Sequence, residues 1–371
     1  MPAPARPSLW WILAFCILLT IVNAAWLGPG FFAGAARGEG DFRGLYSGAA
    51  LVGTGHLNDP EALATLHIQR FGKAYPALAP LRIPAYYVLL RPFVWLDYST
   101  AAIVWKVIML ALLAIAVMLE RFPWVTAMAF SACGATILAL GFGQDLPLLL
   151  VAMVLFQRWR ESSPDIAGLF LCLAALAKPH LVILVPLSLL VLGEWRVLRS
   201  LTAGTALAAG LSFWTEGPDW LSSWIATAST AVTNAGPQVM PNLHGLAAAV
   251  HGGAALEWTT VVLVVALVAL IAKRTTPIFS LFVALLGSLL VSRHAYPHDV
   301  LLVVPGLAAL LAATHVRYIQ AAIAWILSPV PFVLTLVLDT GLAVQLPLLG
   351  LFLFSVWNAA DLGWRSPEPS E

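Results

Sequence analysis

Apolar runs of similar length, cut by short polar breaks, recur along the whole 371-residue chain. A bilayer core takes about 20 apolar residues per helix, and the pattern predicts roughly twelve such spans. They fall near residues 8–27, 98–119, 124–140, 144–157, 164–177, 179–193, 198–214, 257–272, 277–292, 298–314, 318–338 and 342–359. Backbone polar groups in lipid must be satisfied within the segment, so each span is expected to be a helix and the chain one all-α polytopic membrane domain over residues 1–371. The first run is longer than the apolar core of a signal peptide, so it reads as an uncleaved helix although "VNA" at 22–24 resembles a cleavage site.

Two long polar-interrupted stretches, near 28–97 and 215–256, break this rhythm. In the first, Asp59, Pro60 and Glu61 place a capping acceptor, a proline and a carboxylate at a helix start, and Gly72 is suited to its end. The resulting helix has a mixed surface suited to the membrane interface. The segment "LRIPAYYVLLRPFVWLD" is apolar but interrupted by Arg82, Pro84, Arg91 and Pro92, which predicts an interfacial or re-entrant element. In the second stretch, Trp220 and Trp224 sit at helical spacing ahead of "GPQVMPNLHGL". That part reads either as a linker or, through Asn242 and His244, as a cover over a site.

Composition sharpens the picture. Hydrophobic residues make up 61% of the chain and charged ones 10%, against about 25% charged in soluble domains. The net charge of +1 says nothing about nucleic acid, no basic tract is present to bind it, and the expected partners are membrane lipids. Cys16, Cys133 and Cys172 fall inside apolar runs without metal-ligand spacing and read as small core residues. Short loops carrying Arg121, Arg158 and Arg160, Arg196 and Arg199, Lys273 and Arg274, Arg317 and Arg365 alternate with loops of mixed chemistry. By the positive-inside tendency the basic set is cytoplasmic, with both termini, in a multi-pass cell-membrane protein. The other face gathers Glu39, Asp41, Gln144, Asp145, Lys178, His180, Asn242, His244, Arg293, His294, His298 and Asp299, and a functional site is expected there.

The stretches "DFRGLYSGAALVGTGHL", "RIPAYYVLLRPF", "GQDLPLLLVAMVLFQRWR", "AGLFLCLAALAKPHLVILVPLSLLV" and "NLHGL", in this order from Asp41 toward Asp299, resemble glycosyltransferase family 87. That family includes polyprenol-phosphate-mannose-dependent mannosyltransferases of phosphatidylinositol mannoside synthesis. The resemblance implies a C-type glycosyltransferase fold with interfacial helices in the first external loop. It also implies a polyprenyl-phosphate sugar donor, a lipid or glycan acceptor outside the cytoplasm, and a catalytic aspartate at the position of Asp41. This chain departs from the pattern at Asp145, where the family often has an amide, and at Ile83-Pro84, where it often has two prolines.

A phosphate leaving group needs no general acid, so one carboxylate acting as base suffices, whereas glycoside hydrolysis divides acid and base between two. Asp41 is the candidate, with Glu39 beside it; the bland alternative is a solvated loop residue. Attack opposite the phosphate would invert the anomeric carbon. Lys178, Arg293 and His298 are candidates to meet the growing phosphate charge, although a lysine at a helix end also snorkels without function. Arg43, Tyr46, Gln144, Asp145, His180, Asn242 and His244 complete the candidate substrate-binding set, with packing or turn roles as the alternatives. Glu39 and Asp41 alone make an incomplete oxygen shell for a divalent ion, so no cofactor is expected. The competing class is a transporter or flippase of lipid-linked saccharides, which internally repeated halves with mid-membrane breaks would mark. No repeat is evident. A noncatalytic assembly subunit is a third possibility.

Overall fold

The computed structural model describes residues 9–75, 78–120, 127, 130–230, 236–314 and 316–358. Among these the chain is helical, without β-strands. Its helices are α1 (Leu9–Ala36), α2 (Phe42–Leu51), α3 (Pro60–Phe71), α4 (Pro84–Leu90), α5 (Tyr98–Glu120), α6 (Gly134–Phe142), α7 (Leu146–Trp159), α8 (Pro164–Ala177) and α9 (Val185–Val191). There follow α10 (Trp195–Glu216), α11 (Trp220–Ala228), α12 (Leu243–Ala249), α13 (Gly253–Ala272), α14 (Pro277–Val291), α15 (Val304–Ala313), α16 (Arg317–Leu327), α17 (Val330–Leu338) and α18 (Leu342–Asn358). Single turns of 3₁₀ helix cover Pro179–Leu181 and Pro237–Val239, and longer 3₁₀ pieces cover Arg91–Trp95 and Pro297–Val303.

Among the described residues three helices are long and apolar enough to cross a membrane unaided: α1 over Ala14–Ala36, α5 and α13. Two more crossings arise if bent pairs count as one span each, α6 with α7 at 118° and α16 with α17 at 67°. The expected spans near 164–177, 277–292 and 342–359 are present as shorter apolar helices, whereas 179–193 becomes one 3₁₀ turn and the seven residues of α9. Pro179 cannot continue α8, and Ser328-Pro329 breaks the expected 318–338 span for the same reason. The expected 124–140 span and the loop residues Arg121 and Arg365 lie wholly or partly outside the described residues.

The first helix is longer than its apolar run predicted. It kinks where Gly28 adopts φ 70°, and Pro29 then starts a fresh turn that carries the helix to Ala36. The first long loop therefore begins near residue 37 rather than 28. Its inner helices match expectation. The Asp59 carboxylate accepts hydrogen bonds from the backbone N–H groups of Glu61 (2.9 Å) and Ala62 (3.4 Å), and α3 ends at Gly72 with φ 80°.

An aromatic cluster seats α2. Phe42 stacks on Trp105 of α5 at 5.2 Å between ring centroids, and Phe93 meets Phe42 edge-on at 6.0 Å. Gly48 lies where a methyl group would strike the Tyr87 ring at 2.2 Å, so the α4 ring packs directly on the bare backbone of α2. The three cysteines are buried and free, as the apolar runs implied.

Two of the basic loops meet at one end of the bundle. Arg160 pairs with Glu194 at 2.6 Å, while Arg196 and Arg199 reach Asp165 at 2.7 and 2.9 Å. From that end α7 runs back to Asp145 and α8 runs forward to Lys178, so both deliver a charged residue to the opposite end.

Candidate active site

At this second end lies a cavity of about 680 Å³. Asp41 reaches it because the chain around residues 40–41 is pressed onto the sharp turn between α6 and α7. The Asp41 N–H donates to the Phe142 carbonyl at 2.8 Å, and the indole N–H of Trp105 donates to the Gly143 carbonyl at 2.8 Å. Gly143 takes φ 70°, which lets the chain reverse there. A Cβ on residue 40 would stand 2.5 Å from the Phe142 oxygen, so only glycine permits this approach. The same turn presents Gln144, whose Nε2 donates to Asp41 Oδ2. That bond occupies one carboxylate oxygen and leaves Oδ1 to face other partners.

Across the cavity stands the junction that begins the Pro297–Val303 piece. Lys178 Nζ donates to Asp299 Oδ1 at 2.5 Å, and both side chains are buried, at 4% and 1% exposure. Asp299 Oδ2 accepts from the Tyr296 N–H at 2.8 Å, and His298 Nε2 lies 3.7 Å from Oδ1. His298 stacks on Tyr296 and meets Phe142 edge-on. The carboxylate of Asp41 acts electrostatically on both Tyr296 and His298, which places the acidic and basic sides of the cavity within interaction range.

Of the residues expected from sequence, Asp41, Gln144, Lys178 and His298 line this cavity together. Asp145 stands behind it, fully buried, in a bidentate pair with Arg82, whose side chain does line it. His180 packs edge-on against His294 at 5.9 Å, outside the lining.

The others are elsewhere. Glu39 turns to Arg37 at 2.8 Å and is 3.9 Å from Arg43, so it does not share a pair with Asp41. The Arg43 guanidinium lies 4.4 Å over the Tyr75 ring and 5.4 Å over Phe71, a cation–π arrangement away from the cavity. Tyr46 is buried and donates to the Leu96 carbonyl at 3.1 Å. Asn242 caps α12, accepting from the Gly245 N–H at 2.7 Å. His244 and Arg293 both engage the buried Glu257 of α13, at 3.0 and 2.8 Å. The second long loop therefore reaches the cavity through Val239 rather than through a cover built on Asn242 and His244.

Sequence reasoning gave no role in the site to Arg82, Tyr87 or Tyr296, all of which line the cavity, whereas His294 and Asp299, which also line it, were placed on the expected functional face. Arg82 did carry a signal, a lone cation inside an apolar segment. Its partner Asp145, 63 residues away, carried none that spacing could reveal. The remaining walls are apolar: Trp26, Leu27 and Phe31 flank the α1 kink, and Phe332 and Leu336 come from α17. Among the described residues no group of three or more His, Cys, Asp or Glu is placed to hold a metal ion.

His294 lies in the turn between α14 and the 3₁₀ piece, and burial pushes its imidazole down from 6.5 to about 4. Lys178, Arg82 and His298 act in the same direction, and Asp299 opposes them. Between these two values the unfolded chain binds a proton that the folded one does not. The contribution of His294 to stability is therefore complete above about pH 6.5, falls as pH drops toward about 4, and is lost below. Thermal unfolding followed across that window should show a midpoint falling with pH, and His294→Phe should flatten the slope. An unchanged slope in the variant would count against this assignment.

A helical membrane protein with a cavity lined by Asp41 on one wall and Lys178 and Arg82 on others is the class that fold and site define. The family model described as "Glycosyltransferase family 87" matches residues 84–292, more than half of the chain, and the chain belongs to that family. It is a glycosyltransferase. Asp41, Arg82 and the junction from Arg293 to Asp299 lie outside the matched stretch, which is narrower than the resemblance read from the sequence. Comparison with curated proteins and with solved structures returns no match.

Proposed function

We propose that this glycosyltransferase moves a hexose, mannose being the leading candidate, from a polyprenyl phosphate to a lipid or glycan acceptor outside the cytoplasm. The observation that carries this reading is the meeting of Asp41 and Lys178 in one cavity whose remaining walls are largely apolar. The apolar flank of α1 and α17 suits a hydrocarbon chain, and the polar end suits its phosphate and sugar. In this reading the short helices complete a C-type arrangement of about twelve partial and full crossings. The basic loops face the cytoplasm and the cavity faces outward.

The chemistry needs one base. An acceptor hydroxyl gives its proton to Asp41 Oδ1 while its oxygen bonds to the anomeric carbon. The bond from that carbon to the phosphate oxygen breaks, and its electron pair leaves with the phosphate. Attack from the opposite side inverts the centre. Gln144 holds Oδ2, so the base is aimed rather than free to rotate. The phosphate goes from one negative charge to nearly two, and Lys178 and His298 on the far wall favour that change most where it is most advanced. Glu39 pairs with Arg37, so in this reading Asp41 acts alone.

The test is incubation of purified protein in lipid nanodiscs with a panel of synthetic polyprenyl-phosphate hexoses and a membrane glycolipid extract. Transfer of labelled hexose to a glycolipid, dependent on the lipid phosphate, is expected. Transfer from a nucleotide sugar instead, or movement of intact donor across the bilayer without transfer, would overturn the reading.

A further inference from the structure

Arg82 enters the cavity from the loop ahead of α4, and several elements hold it there. Its own N–H donates to the Tyr87 hydroxyl at 3.0 Å, and the neighbouring Leu81 carbonyl accepts from the Trp224 indole of α11 at 3.1 Å. The side chain is then locked by a two-point fork: Nε to Asp145 Oδ2 at 2.9 Å and Nη2 to Oδ1 at 3.0 Å. Asp145 is wholly buried and also within electrostatic range of Lys178.

The fork occupies one edge of the guanidinium. Nη1, on the other edge, makes no hydrogen bond to the described residues, and the side chain lines the cavity that also holds Lys178. A buried ion pair by itself contributes little net stability. A planar cation fixed along one edge, with the other turned toward a cavity, is instead suited to holding an oxyanion in a set orientation.

We propose that Arg82 takes the phosphate of the lipid donor, and of the lipid phosphate released after transfer, on this free edge, with Asp145 as the positioning residue that sets the guanidinium plane. The proposal rests on the polyprenyl-phosphate reading above. Lys178 supplies a compact charge and Arg82 a directional one, so the phosphate lies between two cations, Arg82 backed by the buried Asp145 and Lys178 paired with Asp299 in the cavity wall. A phosphate monoester gains its second charge near pH 6, so binding of the released lipid by wild-type protein should tighten as pH rises through about 6.

The experiment measures binding of a synthetic polyprenyl monophosphate, and of the matching polyprenol, to protein in nanodiscs by quenching of tryptophan fluorescence. R82Q/D145N removes both partners and leaves no unpaired buried charge. It should weaken monophosphate binding by at least about tenfold while polyprenol binding stays within about twofold. Arg82→Lys keeps the charge without the planar fork, so its loss should be intermediate and again confined to the monophosphate. Should the double variant fail to fold, that selectivity in Arg82→Lys decides. Wild-type affinity for monophosphate in the variants, or equal losses for both lipids, would overturn the role of Arg82. Wild-type protein that binds no lipid phosphate would overturn the donor reading as well.

Discussion

Asp41→Asn is expected to lower the rate of hexose transfer by about a hundredfold to ten-thousandfold, the usual weight of a positioned general base. Asparagine keeps the shape and can still accept from Gln144 through its own carbonyl oxygen, so the cavity should stay intact. It cannot take the acceptor's proton. Initial rates from purified protein in nanodiscs, read beside the thermal unfolding midpoint and the affinity for lipid phosphate, separate the two effects. The rate should collapse while the midpoint and affinity hold. A variant that transfers within about threefold of wild type would remove Asp41 as the base.

The largest effect on stability is expected from Asp299→Leu. It leaves the Lys178 ammonium buried at 4% exposure without its partner, a condition that costs about 3–5 kcal/mol. K178M/D299L removes both charges and should restore most of the midpoint, because a well-packed apolar pair of similar volume is often as stable as the ion pair it replaces. Its transfer activity should remain low, since the cation proposed to meet the leaving phosphate is gone. A double-variant cycle on thermal midpoints checks this. If Asp299→Leu and the double variant unfold together, the pair is not what holds the 3₁₀ junction to the end of α8.

What could be read from the sequence was local. Asp59, Pro60 and Gly72 marked the ends of α3 because caps and breakers act within a turn of the residues they govern. The broken segment around Pro84 and Pro92 announced short helices for the same reason. Lys178 was visible as an ionisable residue at the end of an apolar run and Asp41 as a loop carboxylate at the position that the family resemblance makes catalytic, but that they share a cavity follows from contacts across the fold. Asp41 meets Gln144 across 103 residues, and Lys178 meets Asp299 across 121. Arg293 shows the limit of such reading. One residue ahead of a cavity-lining histidine, it faces Glu257 instead, and sequence proximity alone assigned it to the phosphate. Span counting misled where prolines cut apolar runs into pieces, since hydropathy windows record composition and not whether the helix continues.

The two helices that deliver Asp145 and Lys178 contain only 14 residues each. At 1.5 Å per residue such a helix rises about 21 Å, whereas the hydrocarbon of a bilayer is about 30 Å thick. In the proposed topology, with the arginine-rich end at the cytoplasmic surface, the proposed site would lie below the other surface, within the leaflet. Turnover should then follow the mole fraction of donor among the lipids rather than its molarity in the tube. On the proposed lipid donor, diluting the leaflet with inert phospholipid should slow the enzyme, and adding water should not.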